Sequence, residues 1–162
     1  MSTDNPDTAG ETAIDYNDQP LTAVSFERLT QVMTDFGIEL FPAEQGNVAS
    51  ANLNGTQVTF ALLNSVLIVR ADVPTEQATA EGNPMLHLAC NHVNSYSFAC
   101  KSTVVDRTDT LIIRTEREIL VAAGMTDRQL RTAVQEAVDT VLAGQGAVTE
   151  AAEVIRNQTE GQ

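Results

Sequence analysis

The dipeptide Asn54-Gly55 stands between two runs, VASANL and TQVTFALL, whose apolar residues recur at every second position. Asparagine and glycine accept positive φ at little cost, and a two-residue type I′ turn demands positive φ at both central positions. The stretch is therefore predicted to be a tight antiparallel hairpin. Its second strand places Val58, Phe60 and Leu62 on one face and Gln57, Thr59 and Ala61 on the other. This hairpin rules out an all-helical chain, and its neighbours decide how the sheet is covered.

Upstream, the period is that of a helix. In LTAVSFERLTQVMTDFG, the residues Phe26, Leu29, Val32, Met33 and Phe36 fall three and four apart and form one apolar stripe. Thr22 or Ser25 caps its start, and Gly37 stands where a left-handed C-terminal residue belongs. IELF is a short strand candidate, followed by a loop from Pro42 to Asn47. After the hairpin, Asn64-Ser65 makes a turn and VLIVRADV runs back as another strand, while PTEQATAEGNPM reads as a loop. Asn83-Pro84 looks like an N-cap followed by a first helical proline. It opens a helix reaching about Tyr96, with Met85, Leu88, Ala89 and Val93 as the buried stripe. FACKSTVV and TLIIRTE then flank an Asp106–Asp109 turn as a second hairpin. Thr126-Asp127-Arg128-Gln129 is a capping box, ahead of a stripe of Leu130, Val134, Ala137, Val138 and Val141 that stops at Gly144. No regular alternation of strand and helix is present, so a parallel doubly wound sheet is disfavoured. The prediction is an α+β fold, one antiparallel sheet with three main helices packed on it.

Charge divides the chain. Residues 1–19 carry five acidic side chains and no base, lack hydrophobic periodicity, and are expected to be a disordered acidic arm. Residues 20–143 form the folded domain. Residues 144–162 read as a flexible or partly helical tail, in which AVTEAAEVI extends the last helix or adds a short one. A net charge of −13 repels phosphate backbones and anionic lipid, which argues against nucleic-acid and membrane partners but not against a basic protein. No apolar run approaches the roughly 18 residues a bilayer span needs, and no secretory signal is visible, so the expected location is the cytoplasm.

Both histidines and both cysteines lie in PMLHLACNHVNSYSFACKSTVV. His87 and Cys90, three apart, share one helix face, but His92 lies about 140° from His87 at about 100° per residue, and Cys100 falls on the next strand. Zinc takes about four ligands, usually in pairs, and only one mixed pair is present. The expected reading is that Cys90 is a small buried hydrophobe and that the histidines lie on the polar flank. The alternative is a metal- or thiol-dependent enzyme or redox sensor built on His87, Cys90, His92 and Cys100. A cysteine nucleophile needs a thiolate-stabilising neighbour, and no oxyanion loop, nucleophile elbow or glycine-rich phosphate loop accompanies it. Asn91 and Asn94 are better placed for structure: an amide at the helix end ties it to the next strand, or the pair lines a peptide groove. With Lys101, these asparagines are the candidate binding residues; no cofactor is implied.

Asn91-His92-Val93-Asn94, Cys100-Lys101 opening a strand, TLIIRTE, and Gly124-Met125-Thr126 leading into DRQLRTAVQEAV resemble, in order and spacing, the YbjN family of bacterial sensory transduction regulators. PLTAVSFERLTQVMTDFGIEL is similar to that family's first helix and strand, so the resemblance spans most of Pro20 to Leu142. Val93 and Cys100 depart from it, standing where the family often has an aromatic and a proline. The resemblance implies a fold like that of type III secretion chaperones: helices about an antiparallel sheet, often dimeric, without catalysis. It implies a chaperone-like adaptor or regulator with a protein or peptide partner, and a possible homodimer. Polar outward positions such as Thr59 and Arg114 are further candidates on the sheet face.

Overall fold

Ser25, extended at φ −111°, accepts a hydrogen bond from the Arg28 amide and starts α1, Phe26–Asp35. Its apolar stripe buries Leu29, Val32 and Met33. The computed structural model describes residues 20–161, and the acidic arm expected over residues 1–19 lies outside them. The strands are β1 (Phe41–Pro42), β2 (Val48–Leu53), β3 (Thr56–Leu63), β4 (Val66–Ala78), β5 (Lys101–Asp106) and β6 (Thr110–Leu120). The other helices are α2 (Met85–Tyr96) and α3 (Asp127–Glu160). All pairings are antiparallel, in the order β1-β2-β3-β4-β6-β5.

The Asn54-Gly55 hairpin forms as predicted, with both residues at positive φ (52° and 88°) and strands bounded at VASANL and TQVTFALL. Three expectations change. Of IELF only Phe41 pairs with β2, together with the following Pro42. Ile38 and Leu40 pack on the core instead. β4 continues through the supposed loop to Ala78: after a register shift between Pro74 and Ala78, the strand regains β6 at Thr110, and the Thr75 hydroxyl donates to the Leu111 carbonyl at 2.7 Å. Polar composition hid this extension.

The largest change is at Gly144. It does not stop α3, which runs 34 residues to Glu160, so that AVTEAAEVI extends the last helix. The Thr126/Gln129 capping box begins it as predicted. The first half of α3 covers α1 and the central strands, where Leu130, Val134 and Val141 meet Leu29, Val58, Phe60, Leu67 and Val69. The second half packs on α2, where Val148, Ala151 and Ala152 meet Leu86, Ala89, Cys90 and Val93. A buried aliphatic side chain contributes about 1.5–3 kcal/mol, so this second cluster holds the helix beyond Gly144.

At Gly144 α3 lies close against the sheet. A Cβ there would lie 2.7 Å from Cys100 Sγ and 3.2 Å from Thr115 Cγ2. Around it the Thr115 hydroxyl donates to the Val141 carbonyl at 2.8 Å, and the buried Gln145 amide donates to the Ala71 and Ile113 carbonyls at 2.9 Å each. Among the described residues no helix is long and apolar enough to cross a membrane.

The register sorts side chains between two faces. Val58, Phe60, Leu67, Val69 and Ile119 point into the helix side. Thr59, Arg70 and Glu116 alternate with them, are cross-strand partners, and lie on the opposite face. The buried faces of α1 and of the first half of α3 meet the first set, whereas those of α2 and of the second half of α3 meet Leu111 and Ile113 on the same side of the sheet.

Candidate functional site

Two surfaces merit attention: the corner where α2 passes into β5, and the sheet face opposite the helices. At the corner, Asn94 closes a ring with Ser102. Its amide nitrogen donates to the Ser102 carbonyl at 2.7 Å, and its amide oxygen accepts from the Ser102 N–H at 2.9 Å. One side chain thus takes both backbone groups of an edge-strand residue, as a neighbouring strand would. Asn94 is the asparagine that ties helix to strand; Asn91 is exposed on α2. This ring also sets the rotation of α2. Cys90, four residues back on the same side, is buried, whereas Leu88 is 50% exposed. The predicted stripe of Met85, Leu88, Ala89 and Val93 is therefore corrected to Leu86, Ala89, Cys90 and Val93.

The four candidate ligands do not converge. His87 and His92 are exposed, and His92 meets only the Tyr96 ring edge-on, centroids 5.4 Å apart. Cys90 is buried with the α2 cluster, while Cys100 is buried in the other cluster, against Gly144. Among the described residues no three His, Cys, Asp or Glu side chains form a group that could hold a metal ion. Burial pushes the Cys90 thiol up to about 11. Burial also raises Cys100, against a smaller opposing effect of Arg117. Both thiols are thus held in their protonated, unreactive form near neutral pH.

A hollow of about 580 Å³ lies beside the corner, lined by Phe98, Cys100, Lys101, Glu116, Arg117 and Glu136. Four of its charged side chains are paired, and Glu118 also lines it. Arg117 meets Glu136 at 2.9 Å and the Thr140 hydroxyl at 2.9 Å. Lys101, the third candidate binding residue, meets Glu116 at 2.7 Å, and Glu116 also receives Arg70 at 2.9 Å. Burial works against the Glu116 charge, but the hydrogen bonds from Lys101 and Arg70 outweigh it and hold the carboxyl below the ordinary glutamate value. A depressed folded-state pKa stabilises above the unfolded value and is lost as pH falls through the folded one. Glu116→Gln is therefore expected to flatten the decline of thermal stability below about pH 4.5, measured as Tm against pH.

The sheet face opposite the helices holds the second surface. Thr59 and Arg114 lie on it, as read from the alternation. Arg114 grips Asp72 with two hydrogen bonds of 2.7 and 2.8 Å. Towards the β3–β4 turn the face changes character. Leu63, Val66 and Leu120 are cross-strand neighbours in one row, with Leu63 53% and Leu120 77% exposed. Val48, Ala61 and Ile68 form the next row, with Glu118 at its end. This apolar row was not among the sequence candidates. Its signal was present in the unbroken runs ALL and VLIV, which are apolar on both sides of the pleat instead of alternating.

Two of the solved structures to which this chain is similar share its architecture. YbjN from E. coli is 14% identical, covers 86% of this chain and 96% of its own, and superposes with a TM-score of 0.63. An uncharacterised protein from Methanothermobacter thermautotrophicus is 12% identical, covers 78% and 98%, and gives 0.52. The Yersinia pestis type III secretion chaperone SycH, solved in complex with a stable fragment of YscM2, is 17% identical, covers 72% and 96%, and gives 0.44. No curated protein matches the sequence closely enough to count as a relative. The YbjN model, described as "Putative bacterial sensory transduction regulator", matches residues 25–149, and the chain belongs to the YbjN family.

Proposed function

We propose that this chain is a non-catalytic, cytoplasmic protein-binding module, a chaperone-like adaptor or regulator, that takes an apolar partner segment on the uncovered face of its sheet. The observation that carries this reading is the row Leu63–Val66–Leu120, in which two exposed leucines flank a half-buried valine on three neighbouring strands. Water gains from covering such a row, and a rigid sheet presents it without ordering cost. Glu118 beside it, on a chain of net charge −13, suits a segment whose apolar residues are flanked by basic ones. The regulatory description of the family supports the same reading. The two protonated thiols and the separated histidines favour it over the thiol or metal chemistry weighed from sequence.

The test is quantitative recovery from the native host at moderate salt. A partner recurrently retained by the wild-type chain is expected to bind at least about 30-fold more weakly to Leu63→Glu/Leu120→Glu, the loss typical of an anchor worth about 2 kcal/mol. Asp139→Lys, on the exposed side of α3, leaves its affinity within about threefold. Equal binding by the double variant refutes the sheet-face assignment.

A further inference from the structure

β6 outruns the strand beside it. β5 has 6 residues and β6 has 11, and their pairing ends at Lys101–Glu116. Before Lys101 the chain leaves the sheet, because Cys100 is buried in the helix-side core against Gly144 of α3. Among the described residues, Arg117 to Leu120 therefore have a strand on the β4 side only. The hollow of about 580 Å³ lies where the two stretches part: Phe98, Ala99 and Cys100 line it from one, Arg117 and Glu118 from the other.

Two observations fix which backbone groups face this gap. The Asn94 amide takes the N–H and C=O of Ser102, so these point away from β6, and Ser102–Thr115 is a pair without hydrogen bonds between its strands. Lys101–Glu116 is then a bonded pair. By the period of two, Glu118 and Leu120 turn their N–H and C=O the same way as Glu116. The next residue agrees: the Val121 N–H points to the β4 side and donates to the Ser65 carbonyl at 2.8 Å. Glu118 and Leu120 thus offer four backbone groups along an open edge, while their side chains lie on the uncovered sheet face.

We infer that an extended segment of the partner adds here as a strand, continuing the line of β5 and pairing with Glu118 and Leu120 of β6. The inference rests on the sheet-face reading above and gives its partner a sequence pattern. A strand running in the direction of β5 sets one residue opposite Leu120 and, two positions later, another opposite Glu118, each about 5.5 Å away between Cα atoms. The first extends the row Leu63–Val66–Leu120 by a fourth strand and is apolar. The second meets Glu118, which makes no ion pair among the described residues. Phe98, 91% exposed, lines the same hollow and offers an aromatic ring on which a cation can lie. That second residue is therefore arginine or lysine, and the pattern is apolar-x-basic. A second copy of this chain fits the edge poorly, since its own β6 edge brings another Glu118 and no base.

The probe is the fluorescein-labelled peptide GSTVTRTSG, titrated into the purified full-length chain. It is expected to bind with a Kd below about 1 mM, and GSTVTETSG at least about tenfold more weakly. Glu118→Lys raises the Kd for the first peptide at least about tenfold. N-methylation at the peptide's valine or arginine, whose N–H groups point to β6, abolishes binding. N-methylation at the threonine between them, whose N–H points away, changes the Kd less than about threefold. On the protein, hydrogen exchange at the Leu120 N–H slows at least about tenfold with peptide, while the Val121 N–H, already bonded to Ser65, is unchanged. No binding at about 5 mM peptide overturns the inference, and so does binding that ignores which nitrogen is methylated. Protection of the Leu120 N–H that grows with protein concentration alone marks a second copy as the occupant and also overturns it. Failure of the sheet-face reading is distinct: there the native partner ignores Leu63→Glu/Leu120→Glu. A native partner lost by that double variant but held by Glu118→Lys within about threefold overturns strand addition alone.

Discussion

Asn94→Leu is expected to cost about 2–4 kcal/mol of unfolding free energy, a large share of the stability of a domain this size. The reason is the loss of two bonds at once. The variant strands the Ser102 N–H and carbonyl, which the Asn94 amide holds at 2.9 and 2.7 Å, and each unmet buried backbone group costs about 1–3 kcal/mol. Ser102 is 1% exposed, so water does not readily replace the lost amide. Ser102→Ala supplies the control. It keeps both backbone groups and removes only a hydroxyl that has no partner, so its effect should be within about 0.5 kcal/mol of wild type. Urea unfolding of both variants separates the contribution of the ring from that of the site. Asn94→Leu also uncovers part of β5, an edge strand, and should increase aggregation on refolding.

Gly144 and Gly146 lie in the same helix and are expected to respond to alanine with opposite signs. Alanine at either place gains about 1 kcal/mol of helix propensity. At Gly146 nothing lies within 4 Å of the new Cβ, so Gly146→Ala should stabilise by about 0.5–1 kcal/mol. At Gly144 the Cβ would lie 2.7 Å from Cys100 Sγ, which is itself buried. Overpacking of this kind costs about 1–3 kcal/mol or more, and α3 must lift from the bonds that Thr115 and Gln145 make at the crossing. Gly144→Ala should therefore destabilise by about 2 kcal/mol net. Adding Cys100→Ala removes the sulfur and should restore part of that loss, a non-additivity that only direct contact produces. Thermal or urea unfolding of the two single variants and the double measures all three effects.

These two sites also show where the sequence was legible. Local chemistry was read well: the Asn54-Gly55 turn, the Thr126 capping box and the helical stripe of α1 are each fixed by residues a few positions apart. A helix-to-strand tie through Asn91 or Asn94 was legible because an asparagine at a helix end has few other uses, but the choice of Asn94 needed the strand's position. Gly144 was misread because glycine after an apolar stripe usually marks a helix end, and the sequence alone does not show a strand within one Cβ of that backbone. The rotation of α2 was misread for a related reason. Leu88 and Cys90 are both reasonable core residues, and the choice between them is made by the reach of Asn94 to Ser102. The cysteines and histidines drew attention through proximity in sequence, yet the clusters that bury Cys90 and Cys100 lie on either side of the Gly144 crossing. The apolar row Leu63–Val66–Leu120 went unremarked because unbroken apolar runs in strands are commonly buried on both sides.

The central claim concerns that row. A photo-crosslinking amino acid placed at Leu120 in the native host, with Asp139 as the comparison position, tests it most directly. The account predicts one discrete protein adduct from position 120, absent at position 139 and lost when Leu63→Glu is added. No adduct at position 120, with a partner crosslinking at position 139 instead, would contradict it.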